Sequence, residues 1–152
     1  MNRLLRTSKN MKYQYFIASR YRNREMVLDL ANKLRSKGRT VYCFIESDAS
    51  IKNVGGLNAS PEEAMKAFES IPDWTKNPAV KEVFETDMAA LKASENIILL
   101  LPAGKSAHME AGVAYGLGKN LILIGDQKET ESLYLVFNES YPSIGSFIAS
   151  LA

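Results

Sequence analysis

Two carboxylates of this chain fall where helical periodicity calls for apolar side chains. Stepping along residues 106–117 from Glu110 reaches Val113, Ala114 and Leu117, so Glu110 lies on an apolar stripe one turn in from a helix start. Over residues 79–93 the stripe is Val80, Val83, Phe84, Asp87 and Leu91. A carboxylate on a buried stripe is costly unless it is paired, hydrogen-bonded or protonated. Two of them, on helices that flank one strand, predict a shared site. Desolvation raises at least one pKa there and mutual repulsion raises it further, a common mark of groups that trade protons. The competing reading is that each carboxylate caps or bridges a neighbouring loop.

Between them lies the turn Leu101-Pro102-Ala103-Gly104-Lys105-Ser106. It joins a strand to a helix whose start offers free N–H groups and a positive dipole end, a setting suited to phosphate or a developing anion. Gly104-Lys105-Ser106 is not the end of a P-loop. That motif needs a glycine five residues before Gly104, and Leu99 stands there. Lys105 is read as a surface lysine.

The elements that must position these groups alternate between strand and helix. Residues 13–18 (YQYFIA) predict a strand. Over 22–37, Met26, Val27, Leu30, Ala31 and Leu34 recur at helical spacing until Gly38. A second strand is expected over 41–45, then a long loop over 46–60 containing Gly55-Gly56. Ser60-Pro61-Glu62-Glu63 opens a helix that runs to about residue 70. Pro72 and Pro78 bracket a loop around Trp74, and 79–93 is helical by period. The apolar run 96–101 reads as a central parallel strand buried on both faces. A helix follows over 106–117, closed by Gly118, then a strand over 121–124 and short helices over 131–137 and 143–151.

This order predicts an α/β fold, a doubly wound, mainly parallel sheet of about five strands with helices on both faces, flavodoxin- or Rossmann-like. Ligands of such sheets sit outside the carboxyl ends of the strands. That selects residues 19–24, 46–48, 102–106 and 125–127. The Gly-x-Gly-x-x-Gly fingerprint is missing after the first strand, where the chain reads Ala18-Ser19-Arg20-Tyr21-Arg22-Asn23, so a hydride-transfer dehydrogenase is not expected.

Composition narrows the classes. The 152 residues are 46% hydrophobic and 24% charged, a globular mixture sufficient for about one domain. The longest apolar run, 97–101, is far below the roughly 20 residues of a membrane span. One cysteine permits no internal disulfide, and one histidine with it is too few for a zinc site of the usual kinds. Residues 1–40 carry eleven Lys/Arg against two Asp/Glu, whereas 41–152 carry eight against fifteen. A basic end suits a nucleic-acid or phosphate surface, or is simply solvated. No nucleic-acid-binding motif accompanies it, and no polymeric nucleic-acid or membrane partner is expected. Residues 1–10 lack the apolar stretch of a secretory signal and are expected to form a mobile basic tail, with 11–152 as one α/β domain.

The segment Gly104-Lys105-Ser106-Ala107-His108-Met109-Glu110-Ala111-Gly112-Val113-Ala114, followed by Gly118-Lys119, resembles the signature of the nucleoside 2-deoxyribosyltransferase family. There a Gly-containing turn leads to Glu-x-Gly-x-Ala on a helix and Gly-Lys before the next strand. Residues 87–94 resemble that family's Asp-bearing helix. Ser19, Arg24 and Glu25 resemble the first loop of the related deoxynucleoside 5′-monophosphate N-hydrolases. The resemblance covers roughly residues 12–125. It implies that Glu110 is the nucleophile attacking the anomeric carbon and that Asp87 contacts and protonates the leaving base, the logic of retaining glycoside cleavage. It implies a small nucleoside or nucleotide substrate, no cofactor or metal, a homo-oligomer and a cytoplasmic enzyme. Ser19, Arg20, Tyr21, Arg24, Gly104 and Ser106 are the expected substrate-binding residues.

The chain departs from the family at Gly104, Ser106 and His108, where members often carry Asp or Ser, Gly and Gly. Ser106 would bond a sugar hydroxyl or a 5′-phosphate, or cap the helix. His108 is expected at the surface or an interface. Arg20, Arg22 and Arg24 could hold a phosphate. Tyr21 would stack on a base or pack, and Glu46 and Asp48 could hold a ribose hydroxyl. Trp74 would close over the site, fill a gap or meet a second subunit. Cys43 reads as an inert core thiol. Two alternatives stay open beside the glycosidic enzyme. One is a nucleotide-binding or signalling module without catalysis, and the other a nicotinamide-dinucleotide glycohydrolase like the enzymatic TIR domains.

Overall fold

A computed structural model describes residues 11–47, 49 and 59–152. The expected tail 1–10, Asp48 and Gly55-Gly56 lie outside the described residues. The chain forms β1 (Tyr13–Ala18), α1 (Arg24–Ser36), β2 (Val41–Cys43), α2 (Pro61–Glu69), α3 (Pro78–Lys92), β3 (Ser94–Leu100), α4 (Lys105–Gly116), β4 (Asn120–Ile124), β5 (Glu139–Tyr141) and α5 (Ile144–Ala149). All strand pairs are parallel and the order is β2-β1-β3-β4-β5. The chain reverses its direction of travel across the sheet between β1 and β3, which puts a crevice at the carboxyl ends of those two strands.

Alternation along each strand builds two cores. Tyr15, Ile17, Val41, Cys43, Ile98, Leu100, Ile122 and Ile124 face a layer with α1 and Phe147 of α5. Phe16, Ala18, Tyr42, Ile97, Leu99, Leu121 and Leu123 face a layer with α3 and α4. Helix starts follow the local chemistry. Ser60 and Glu63 form a reciprocal capping box on α2, and Asn77 accepts from Ala79 and Val80 at the start of α3. Gly118, at φ +73°, gives α4 its left-handed exit.

Four expectations needed correction. Residues 21–23 are a single 3₁₀ turn ahead of α1, because Tyr21 turns its ring into the core before the regular helix begins. The second strand ends at Cys43 and Phe44–Glu46 is another 3₁₀ turn. The helix expected over 131–137 is a 3₁₀ segment, Ser132–Val136. β5, with the sequence ESY and largely exposed, carries no apolar run and was not foreseen as a strand; its backbone pairs with β4 at the sheet edge.

The helix stripes also differ from the periodic reading. On α4 the buried face is Ala107, Ala111 and Ala114, while Val113 and Leu117 are 41% and 49% exposed. Three alanines let the helix backbone approach the broad Ile and Leu side chains of the sheet. Glu110, three residues after Ala107 and four before Ala114, lies at the flank of this seam. On α3 only Ala90 and Leu91 are buried, and Phe84 faces outward.

Candidate active site

Asp87 and Glu110 come together on the α3/α4 side of the sheet. Asp87 sits in the last two turns of α3, where that helix settles onto β1 and β3. Glu110 sits in the second turn of α4, the helix that leaves the crevice after β3. Both are half-buried. Burial pushes the Asp87 carboxyl up to about 6, against the pull of a hydrogen bond from Tyr42. Burial pushes Glu110 up to about 8, and the Asp87 charge adds to the rise. Among the described residues no lysine or arginine pairs with either group. Near neutrality Glu110 therefore carries a proton while Asp87 is largely ionised, one proton for the two groups in the resting site.

Tyr42 is the residue that sequence reasoning missed. Its hydroxyl donates to Asp87 Oδ1 at 2.8 Å. Ser47, just past the 3₁₀ turn after β2, hydrogen-bonds the same hydroxyl. A signal existed: Tyr42 is a hydroxyl-bearing side chain inside a short strand of otherwise apolar residues, and a buried tyrosine hydroxyl needs a partner.

The other expected site residues are placed as follows. Ser19 is buried at the end of β1. Its hydroxyl donates to Leu100 O at 2.8 Å and accepts from Asn23 Nδ2 at 3.3 Å, locking the two strand ends that frame the crevice. Tyr21 is buried in the α1-side layer with Val27 and Leu30, so its ring packs away from the carboxylate pair. Arg20 is exposed. Arg24 begins α1 and, with Arg22, Asn23, Glu25, Met26 and Pro61, lines a cleft of about 450 Å³ that neither carboxylate lines. Arg22 is held by Glu62 and Glu69 of α2, which takes its guanidinium out of the expected phosphate set. Glu46 pairs with Arg35. Trp74 is exposed and Cys43 is buried.

At the start of α4, Gly104 occupies the cap position with open space where a side chain would be. Ser106 lies one residue inside the helix and is exposed, so it is not the cap. His108 reaches back instead. Gly104 O can only accept, so His108 Nδ1 donates to it at 2.8 Å, and Nε2 accepts from the Tyr134 hydroxyl at 2.6 Å. Among the described residues no group of three or more His, Cys, Asp or Glu is placed to hold a metal ion. Nor is any helix there long and apolar enough to cross a membrane.

No protein-family profile and no curated protein matches the chain. Solved structures do. One is the 2-deoxyribosyltransferase of the psychrotolerant bacterium Bacillus psychrosaccharolyticus, a biocatalyst for nucleoside synthesis, at 15% identity and a TM-score of 0.60 over 88% of this chain and 89% of that one. The chain shares that transferase's fold. A second is the CMP N-glycosidase BcmB of Clostridium botulinum, at 19% identity and a TM-score of 0.47 over 89% of this chain and 95% of that one. The doubly wound α/β architecture is thus common ground between this chain and the transferase.

Proposed function

We propose that this protein cleaves or transfers at the N-glycosidic bond of a deoxynucleoside, a nucleoside or its 5′-monophosphate, with Glu110 as nucleophile and Asp87 as its proton partner. One observation carries the reading: two half-buried carboxylates, raised to about 6 and about 8, with the Asp87 charge lifting Glu110, stand together on one side of a sheet whose fold a 2-deoxyribosyltransferase also uses. Among the described residues no cation pairs with either carboxylate, which leaves both available for proton transfer.

The chemistry follows from the one proton that the two groups hold. Glu110, ionised, forms a bond from its carboxylate oxygen to C1′ as the C1′–N bond breaks, and the departing base takes the proton from Asp87. The active form is the one-proton form with the proton on Asp87, a minor arrangement of the resting pair. In the second half a water or another base attacks C1′. Its proton passes to Asp87 and Glu110 leaves as carboxylate. The nucleotide's 5′-phosphate would meet Ser106, Gly104, Arg20 or Arg24, and Ser19 frames the sugar side of the crevice. A homo-oligomer and a cytoplasmic location belong to the same proposal.

The test is base release from separate deoxynucleosides, deoxynucleoside monophosphates, ribonucleotides and the nicotinamide dinucleotide, with and without an acceptor base, across pH 5–9. The expected result is release that is at least 10³-fold lower in Glu110→Ala, with a bell-shaped kcat/KM whose limbs lie near 6 and near 8. Acceptor dependence separates transfer from hydrolysis. No release from any substrate by folded protein contradicts the proposal and leaves a binding module as the better account.

A further inference from the structure

The Tyr42 side chain occupies a place that its strand alone does not explain. β2 is three residues long, and Val41 and Cys43 serve the α1-side core. Tyr42 points the other way. It is 9% exposed, stacked on Phe16 at 5.3 Å and 18°, and tilted against Tyr13 at 5.5 Å. Two rings therefore fix the plane of the third and leave its hydroxyl one direction to point, toward α3. There it meets Asp87 Oδ1 at 2.8 Å. The hydrogen bond with Ser47 completes the polarity: the tyrosine oxygen accepts from Ser47 and its O–H is given to Asp87.

We propose that Tyr42 is a positioning residue for Asp87, holding one carboxylate oxygen so that the other is presented to the departing base. The inference rests on Asp87 acting in the proposed cleavage. Asp87 has two freely rotating side-chain bonds, and Tyr42 is its hydrogen-bond partner among the described residues. Without that bond the carboxylate turns about both. A donor on the carboxylate also favours its ionised form. The hydroxyl thus sets where Asp87 gives up its proton. The titratable groups bearing on the pair are Tyr42 from β2 and Glu110 from α4. β1 and β3, which also pack on α3, bring none that shifts Asp87.

Tyr42 also links the loop after β2 to the site. Ser47 stands at the edge of the segment that follows, so the chain Ser47 to Tyr42 to Asp87 joins strand end, sheet face and helix by directional bonds. This gives the three-residue edge strand β2 a role besides packing.

The test is Tyr42→Phe, which keeps both ring contacts and removes only the oxygen. Steady-state base release is measured from pH 5 to 9 beside the wild type, with thermal unfolding as the folding control. The expected result is kcat lowered about ten-fold with KM within two-fold, and the acid limb of the pH profile moved upward by about half a pH unit or more, since Asp87 loses the bond that keeps its pKa down. The alkaline limb stays in place. A Tyr42→Phe profile that superimposes on an active wild type overturns the Tyr42 inference alone. An inactive wild type overturns the cleavage reading, and the Tyr42 role with it.

Discussion

Glu110 is a residue whose ionisation works against the fold that carries it. Its pKa is raised from 4.5 in a free side chain to about 8 in the folded protein. The folded state therefore holds the proton more tightly than the unfolded chain. The resulting stabilisation is fully present below about pH 4.5 and is lost as pH rises through 8. Glu110→Gln is neutral at every pH and removes this loss. At about 1.4 kcal/mol per pKa unit, less what water entering a half-buried site recovers, the variant gains on the order of 3 kcal/mol at pH 9 and almost nothing at pH 5. Unfolding scans should show a Tm gain of roughly 5–10 °C at pH 9 that shrinks toward zero at pH 5, together with lost turnover. A gain independent of pH would mean that Glu110 is not desolvated. That Asp87 and Glu110 lie close together was legible from two acids at helical positions flanking one strand, although the stripes that singled them out were misread, since Phe84, Val113 and Leu117 face outward. Tyr42 was harder to read: its strand position shows that a buried hydroxyl needs a partner, but only the three-dimensional approach of Tyr42 to α3 shows that the partner is Asp87.

At the scale of elements, the crevice depends on how strand ends are tied together. Ser19 bonds Leu100 across β1 and β3, and Leu101 N donates to Ile124 O, joining the start of the 101–106 turn to β4. Gly125, just past β4, sits at φ +115°, and a Cβ there would lie 2.8 Å from the Leu101 Cβ. Only glycine lets the two turns approach that closely. Gly125→Ala must therefore strain its own backbone and push the 101–106 turn away from the site. The expected cost is about 1–3 kcal/mol in denaturant unfolding, with base release impaired beyond the loss of folded protein. Unchanged stability would show that the turn is not packed as described. The β-α alternation and most element bounds were readable from periodicity and from Pro, Gly and Ser punctuation. What escaped was set by tertiary context. β5 is a strand only because the β4 edge accepts its backbone. The α4 seam is alanine because helix and sheet must approach closely, and periodicity favoured the larger Val113 and Leu117, which face outward.

At the scale of the whole molecule, part of the charge asymmetry read in the sequence finds partners. Among the described residues of the basic first 40, four bases reach later parts of the chain. Arg22 takes Glu62 and Glu69, and Arg35 takes Glu46. Lys37 and Arg39 reach the carbonyls of Leu151 and Ala152 at the end of the chain. Each exposed pair is worth little by itself, typically below about 1 kcal/mol, but together they direct the N-terminal third of the fold toward its later elements. Arg20 and Arg24, near the carboxyl end of β1, form none of these pairs, and in the proposed reaction they would be open to a substrate phosphate. Among the described residues no base pairs with the two half-buried acids. In the proposed reaction that pair would face the positive charge that develops on the sugar. The most direct test is to quench the enzyme during turnover of its best substrate and map the peptides by mass spectrometry. The account predicts a glycosyl ester on Glu110 that forms at a competent rate and disappears when water or an acceptor base completes the cycle. Base release with no glycosyl-enzyme at any time, or release undiminished in Glu110→Gln, would contradict it.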